Sequence, residues 1–187
     1  MQGARPLNLN WSTIKSHVKW QGRFQVMVDE IQADHDGRTT TYTYLAMSRG
    51  AVVVLALDEQ DRAICVRQYR HPTRQVMLEL PAGHIDPGED PTAAAYREFE
   101  EETGMHIGHL EPLGSYVPVP ALARFPMHMY FGHTLRPGRQ HLDDNEILEL
   151  DRIPIRDLHA AIIAGSEQAV SLTYTVLLAA SRSLLPI

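Results

Sequence analysis

Residues 83–105 read GHIDPGEDPTAAAYREFEEETGM. Seven of them are acidic and one is basic, whereas in the rest of the 187-residue chain sixteen Asp and Glu balance sixteen Lys and Arg. The net charge of -6 therefore resides in this stretch, and such a local excess calls for a cationic partner. Asp90-Pro91 reads as an N-cap followed by a first-turn proline, Ala93, Ala94 and Ala95 are strong helix formers, and Gly104 supplies the stop. These signals predict a helix over Pro91 to Thr103. Glu98, Glu101 and Glu102 then stand at i, i+3 and i+4 on one face of its last two turns. Carboxylates so placed repel one another and lie at the negative end of the helix dipole. A hard divalent cation would remove both penalties, because oxygen ligands on one face can hold Mg²⁺ while leaving positions open to water and phosphate oxygens.

A run such as Glu100-Glu101-Glu102 also fits a solvated acidic face. Three further residues decide against that reading. Gly83 opens the stretch, Glu89 follows six residues on, and Arg97 precedes Glu98, giving G-x5-E-x7-R-E-U-x-E-E-x-G-U with Phe99 and Met105 at the bulky apolar positions U. Every fixed position of the Nudix box is matched, so the chain resembles the Nudix hydrolases. The resemblance implies that Glu98, Glu101 and Glu102 bind the catalytic divalent metal, Mg²⁺ with Mn²⁺ able to substitute, joined by the backbone carbonyl of Ala82. It implies that Glu89 and Arg97 pair to brace the loop against the helix, with Gly83 and Gly104 as further structural support of the box. The chemistry agrees, since a phosphoanhydride is itself anionic and its hydrolysis needs charge neutralisation and an activated water, from which a glutamate can take the proton.

Outward from the box, Val66-Arg67-Gln68-Tyr69-Arg70 and Leu78-Glu79-Leu80-Pro81-Ala82-Gly83 resemble the ADP-ribose pyrophosphatase branch. There the arginine approaches substrate phosphate or ribose, which makes Arg70, with Arg67 and Glu79, the expected substrate-binding residues. Strand alternation sends Arg62 and Arg67 to opposite faces, and Arg70 is the first choice. Pro120, sixteen residues after Gly104, fits the same branch, although loop punctuation explains it equally. The pattern then breaks. Ala121-Leu122-Ala123-Arg124-Phe125-Pro126 offers no carboxylate where relatives of this branch carry a glutamate. The base is therefore expected from Glu101, whose place the helix fixes, or from the acidic stretch Asp143-Asp144-Asn145-Glu146, which also reads as a solvated turn.

The expected fold is an α/β/α sandwich with a mixed sheet and an N-terminal antiparallel hairpin. Residues 1–47 form the hairpin region and 48–187 the Nudix domain. Arg23–Ala33 and Thr39–Met47 flank the turn Asp34-His35-Asp36-Gly37, and Ala51–Leu57 and Ala63–Tyr69 flank Asp58-Glu59-Gln60-Asp61, which predicts two hairpins. Later strands are expected at Val76–Leu80, Leu113–Val119, Met127–Leu135 and Ile147–Ile153. A helix follows from Pro154 to Ala164, and Leu172, Val176, Ala180 and Leu184 mark a terminal amphipathic helix. The composition, 44% hydrophobic and 21% charged, suits one globular enzyme burying ~70% of its unfolded surface.

Cys65, the single cysteine, sits in an apolar run and reads as a core thiol. His128 reads as a packed strand residue, and Trp11, Trp20 and Phe24 as core or subunit packing. The N-terminal segment lacks an apolar signal region and no run is long enough to span a bilayer, so a cytoplasmic protein without membrane or nucleic-acid partners is expected. The branch resemblance adds a homodimer with exchanged N-terminal strands. The expected substrate is a small-molecule nucleoside diphosphate derivative, with ADP-ribose favoured (to AMP and ribose 5-phosphate) and GDP-mannose, another nucleotide sugar or a dinucleotide as alternatives. The alternative of another class is a non-catalytic Nudix-like sensor. The intact box glutamates and the lack of an added DNA-binding domain favour the enzyme.

Overall fold

The computed structural model describes residues 8–22, 24–47, 49–142, 147–167 and 169–187, and the chain divides into two compact units. The first comprises residues 1–48 with 119–125. Its strands β1 (Trp11–Gln21), β2 (Gln25–Ala33) and β3 (Thr39–Ala46) pair antiparallel, and the short β9 (Ala123–Arg124) adds parallel to β3. Gly37 closes the β2–β3 turn in the left-handed region (φ 74°) and its N–H donates to the Ala33 carbonyl at 2.9 Å.

Strand β1 corrects the sequence reading, which places no strand before Arg23, a residue outside the described ones. The reason is visible in the register. Shifts between Thr13 and Lys15 and between Val18 and Trp20 insert extra residues, so the apolar residues Trp11, Ile14, Val18 and Trp20 do not alternate as strand residues should. Trp11 and Trp20 are 41% and 52% exposed, which rules out core packing for either. Trp20 rests on Phe24 with ring centroids 5.5 Å apart, and the Arg38 guanidinium lies over Trp11.

The second unit comprises residues 49–118 with 126–187. Its mixed sheet has the order β7 (Ala82–His84), β4 (Ala51–Ala56), β10 (Met127–Pro137), β8 (Met105–Tyr116), with β4 and β10 parallel and the other pairs antiparallel. A second sheet orders β11 (Leu148–Pro154), β5 (Arg62–Arg70) and β6 (Gln75–Glu79) antiparallel. Helix α1 (Pro91–Thr103) covers one side, where Ala94, Ala95 and Phe99 pack with Val52, Val54, Ile64 and Tyr130. Helices α2 (Ile155–Ile163) and α3 (Val170–Ser181) cover the other, where Leu158, Leu172 and Val176 pack with Val53, Leu55 and Phe131. This is the α/β/α layering expected from the sequence. β4 is buried along its whole length because helices stand on both its faces, which is why it reads as an unbroken apolar run.

Two further elements depart from expectation. Asp58–Asp61 does turn the chain, with the Asp58 N–H donating to the Arg62 carbonyl at 3.0 Å, but β4 and β5 share one bridge, Leu57 to Ala63, and then enter different sheets. Both strands are apolar on two faces, so each needs its own neighbours and layers. β8 starts directly after α1 rather than at Leu113, and ends at Tyr116. Its apolar residues Ile107, Leu110 and Leu113 recur every third position, a spacing that hides a strand.

Cys65 is fully buried, and burial pushes its thiol up to about 12, which leaves it an inert core residue. No helix among the described residues is long and apolar enough to cross a membrane. Phe99, also fully buried, holds α1 to the sheet. Phe99→Ala is expected to lower the stability of the second unit by about 3–5 kcal/mol in urea unfolding, whereas an effect near zero would mean that α1 docks by its polar contacts alone.

Candidate functional site

Helix α1 forms as its local signals dictate. The Asp90 carboxylate accepts from the N–H groups of Thr92 (2.8 Å) and Ala93 (3.4 Å), and Gly104 turns left-handed (φ 69°) to end the helix. Its last turn carries no basic residue. Instead a segment 34 to 40 residues beyond the terminal carbonyls satisfies them. The His141 N–H donates to Glu101 O (2.9 Å), Gln140 Nε2 to Glu102 O (2.7 Å), and the Gly138 N–H to Gly104 O (2.8 Å). Sequence reasoning missed Gln140 and His141 because their partners lie far away along the chain and no local pattern marks them.

Arg97 organises the expected box residues. Its Nε and Nη2 donate to the two oxygens of Glu89 (2.8 and 2.7 Å), and Nη2 also donates to the His84 carbonyl (3.0 Å). Its Nη1 donates to Glu98 Oε1 (2.7 Å) and Glu101 Oε2 (2.9 Å). The Glu89 hydrogen bonds, followed by those of Glu98 and Glu101, raise the guanidinium's already high pKa, so it stays charged. The same hydrogen bonds hold the Glu89 carboxyl below its ordinary value.

Glu102 is 4% exposed and accepts the Ala82 N–H at 3.1 Å, which ties the helix to β7. Gly83 has a steric reason: a Cβ there would run into the Glu98 carboxylate. The structure thus gathers Ala82, Gly83, Glu89, Arg97, Glu98, Glu101 and Glu102 in one place, with Gly104 ending the helix that carries them.

Among the described residues no three His, Cys, Asp or Glu side chains form a ready metal-ligating group, and the Arg97 guanidinium bridges Glu98 and Glu101. The donor chemistry nonetheless fits a hard divalent cation: carboxylates converge on one helix face beside a backbone left bare by Gly83.

The expected substrate residues form two ion pairs. Arg70 meets Glu79 in a two-pronged contact, Nε to Oε1 at 2.8 Å and Nη2 to Oε2 at 2.6 Å, with the Glu79 side chain largely buried. Such a fork fixes the guanidinium plane. Arg67 instead pairs with Asp151 on β11 (2.9 and 2.8 Å), a partner the sequence did not reveal across 84 positions. Arg62 is tied to Asp58 (2.7 Å), at the turn between β4 and β5. Asp143, Asp144, Asn145 and Glu146 lie outside the described residues. Residues 121–125 of the segment without a carboxylate belong to the first unit, where the Leu45 N–H donates to Leu122 O (2.8 Å) and the Tyr42 hydroxyl to Ala121 O (2.7 Å).

Comparison with known proteins places this geometry in context. A family model described as NUDIX domain matches residues 47–172. A methanol dehydrogenase activator of Bacillus methanolicus is 33% identical over 141 residues, 74% of this chain and 75% of that protein. An ADP-ribose pyrophosphatase of Bacillus subtilis (strain 168) is 33% identical over 110 residues, 58% of this chain, which spans 60% of that protein's length. Among solved structures, an ADP compounds hydrolase superposes with a TM-score of 0.85 at 22% identity over 96% of both chains, a likeness of fold.

The Glu89–Arg97 pair carries a pH signature. A carboxyl whose pKa is lowered on folding contributes stability above its unfolded value, near 4.5, and that contribution is lost as pH falls through the lowered folded value. Glu89→Gln is therefore expected to be less stable than the parent at neutral pH, with the two urea midpoints converging in acid. A gap of constant size across that range would remove the pair as its source.

Proposed function

The chain belongs to the Nudix family, and from that premise we propose that it hydrolyses the diphosphate bond of a nucleoside diphosphate derivative, ADP-ribose being favoured, to AMP and ribose 5-phosphate. The observation that carries this reading is the gathering of Glu98, Glu101 and Glu102 on the end of α1, beside Gly83 and braced by Arg97. Similarity to an ADP-ribose pyrophosphatase of Bacillus subtilis supports it.

In this proposal Glu98, Glu101, Glu102 and the Ala82 carbonyl would hold Mg²⁺, with Mn²⁺ as a substitute. When bound, the ion neutralises phosphate charge and lowers the pKa of a water. Glu101, 38% exposed against 15% for Glu98, is the most accessible of the three and takes the proton. Arg70, its plane set by Glu79, binds phosphate oxygens of the substrate and stabilises developing charge. Arg67 is the weaker candidate, because it would have to leave Asp151. Residues 1–47 are assigned to homodimer formation in a cytoplasmic enzyme. Support for this is the edge strand β1, exposed along its length with Ile14, Val18 and Trp20 outward, since an unpaired edge with apolar side chains invites a second strand.

Phosphate release coupled to a phosphatase, measured with Mg²⁺ and with Mn²⁺ over ADP-ribose, other nucleotide sugars and dinucleotides, tests the reading. ADP-ribose is expected to turn over fastest, and Glu101→Gln to lower kcat by about 10²–10⁴-fold with the fold intact. Tight ADP-ribose binding without hydrolysis under either metal would overturn the enzyme in favour of a sensor. Faster turnover of another nucleotide sugar would replace the substrate alone.

A further inference from the structure

On the layer opposite α1, β8 and β10 bring two histidines together. His109 and His133 are direct cross-strand partners, and their ring centroids lie 5.0 Å apart. His133 Nδ1 stands 2.9 Å from Thr134 Oγ1. In the tautomer that donates Nδ1–H to that hydroxyl, Nε2 is the nitrogen left to accept, which is how metal-ligating imidazoles are usually oriented.

The backbone here is unusual as well. Ile107 and Leu110 pack in one cluster although they are three residues apart, and so do Tyr130 and Leu135, five apart. Both strands therefore exchange faces, and the exchange falls at Gly108 and Thr134. Thr134 takes a left-handed φ of 64°, a costly conformation for a β-branched residue. A Cβ on Gly108 would press on the Thr134 side chain at 3.0 Å, so the glycine makes room for it. The hydroxyl that orients His133 is thus held by a backbone kink that also presents both imidazoles outward.

His133 and Thr134 line an open groove of about 720 Å³ whose other wall includes Asp58, Glu59 and Asp61. Asp58 is committed to Arg62. Glu59 and Asp61 add negative field, which favours a cation.

We propose that His109 and His133 together bind one borderline divalent transition-metal ion, Zn²⁺ being the representative, at a site separate from the glutamate box. Two imidazoles sharing a tetrahedral ion at ordinary Zn–N lengths place their ring centroids about 5 Å apart, the separation found here. Imidazole nitrogen selects Zn²⁺, Ni²⁺ and Cu²⁺ over Mg²⁺, which prefers oxygen. Two protein ligands leave the remaining positions to water, so the site binds reversibly. By linking β8 to β10 the ion stabilises the folded chain in proportion to its free concentration.

The test is a Zn²⁺ titration of the full chain in saturating Mg²⁺, which occupies the oxygen sites, followed by the imidazole ¹⁵N resonances. Both His109 and His133 are expected to shift together with one equivalent. His109→Ala and His133→Ala should each abolish the effect on the remaining ring while leaving the metal-free melting temperature unchanged. Thr134→Val should weaken binding about 10-fold through loss of the orienting hydroxyl. The absence of a saturable shift at either ring, or Zn²⁺ affinity undiminished in the double alanine variant, would overturn the proposal. Neither outcome depends on diphosphate hydrolysis.

Discussion

The guanidinium of Arg97 is the contact on which the second unit's chemistry rests. Three carboxylates within two turns at the negative end of a helix repel one another and oppose the dipole, and a charge-fixed cation with a planar array of donors can pair with two of them at once. Arg97 uses one edge for Glu89 and the His84 carbonyl, and Nη1 for Glu98 and Glu101. One side chain thus fastens the loop before α1 to the helix and lowers the electrostatic cost of the acidic face. Lysine could not replace it, because a single ammonium lacks the in-plane geometry to grip Glu89 with two nitrogens and still reach the other carboxylates.

Two other constraints make that arrangement workable. Glu102 is buried and bonded to the Ala82 N–H, so rotating the helix would break a hydrogen bond to a buried carboxylate. The 138–141 segment satisfies the terminal carbonyls that a lysine or arginine in the last turn would otherwise serve. A basic residue there would be a second cation competing for the glutamates. Capping by backbone and an amide closes the helix end through uncharged donors.

What could be read from the sequence follows from the range of each interaction. The N-cap at Asp90, the stop at Gly104 and the common face of Glu98, Glu101 and Glu102 all lie within fifteen residues, so composition and spacing foretell them. The β2–β3 turn at Asp34–Gly37 is equally local. Strand β1 was hidden because two register shifts break the alternation by which a strand is recognised, and Trp11 and Trp20 read as core or subunit packing for want of that pattern. The separation of β4 from β5 was hidden for a different reason: a good turn specifies a change of direction, but which strand lies alongside is decided by the helices that cover each face. Gln140 with Glu102 and Asp151 with Arg67 are paired by topology alone.

β8 shows why such a strand resists prediction and why its irregularities persist. It must place Leu113 beneath α2 and α3 and both Ile107 and Leu110 beneath α1, a demand that strict alternation cannot meet over twelve residues. An extra residue at Leu113, followed by Gly114 at φ 116°, changes faces once. The kink at Gly108 and Thr134 changes them again. A regular strand would bury one of these side chains on the wrong side or leave it in water, at a cost of about 1.5–3 kcal/mol each. One such loss is comparable to the ~1–3 kcal/mol of one strained residue, and β10 would lose a second in the same way, because Tyr130 and Leu135 share that cluster five residues apart. The strain at Thr134 is therefore what the two-sided core requires, and the cross-strand histidine pair beside it is a consequence of that packing.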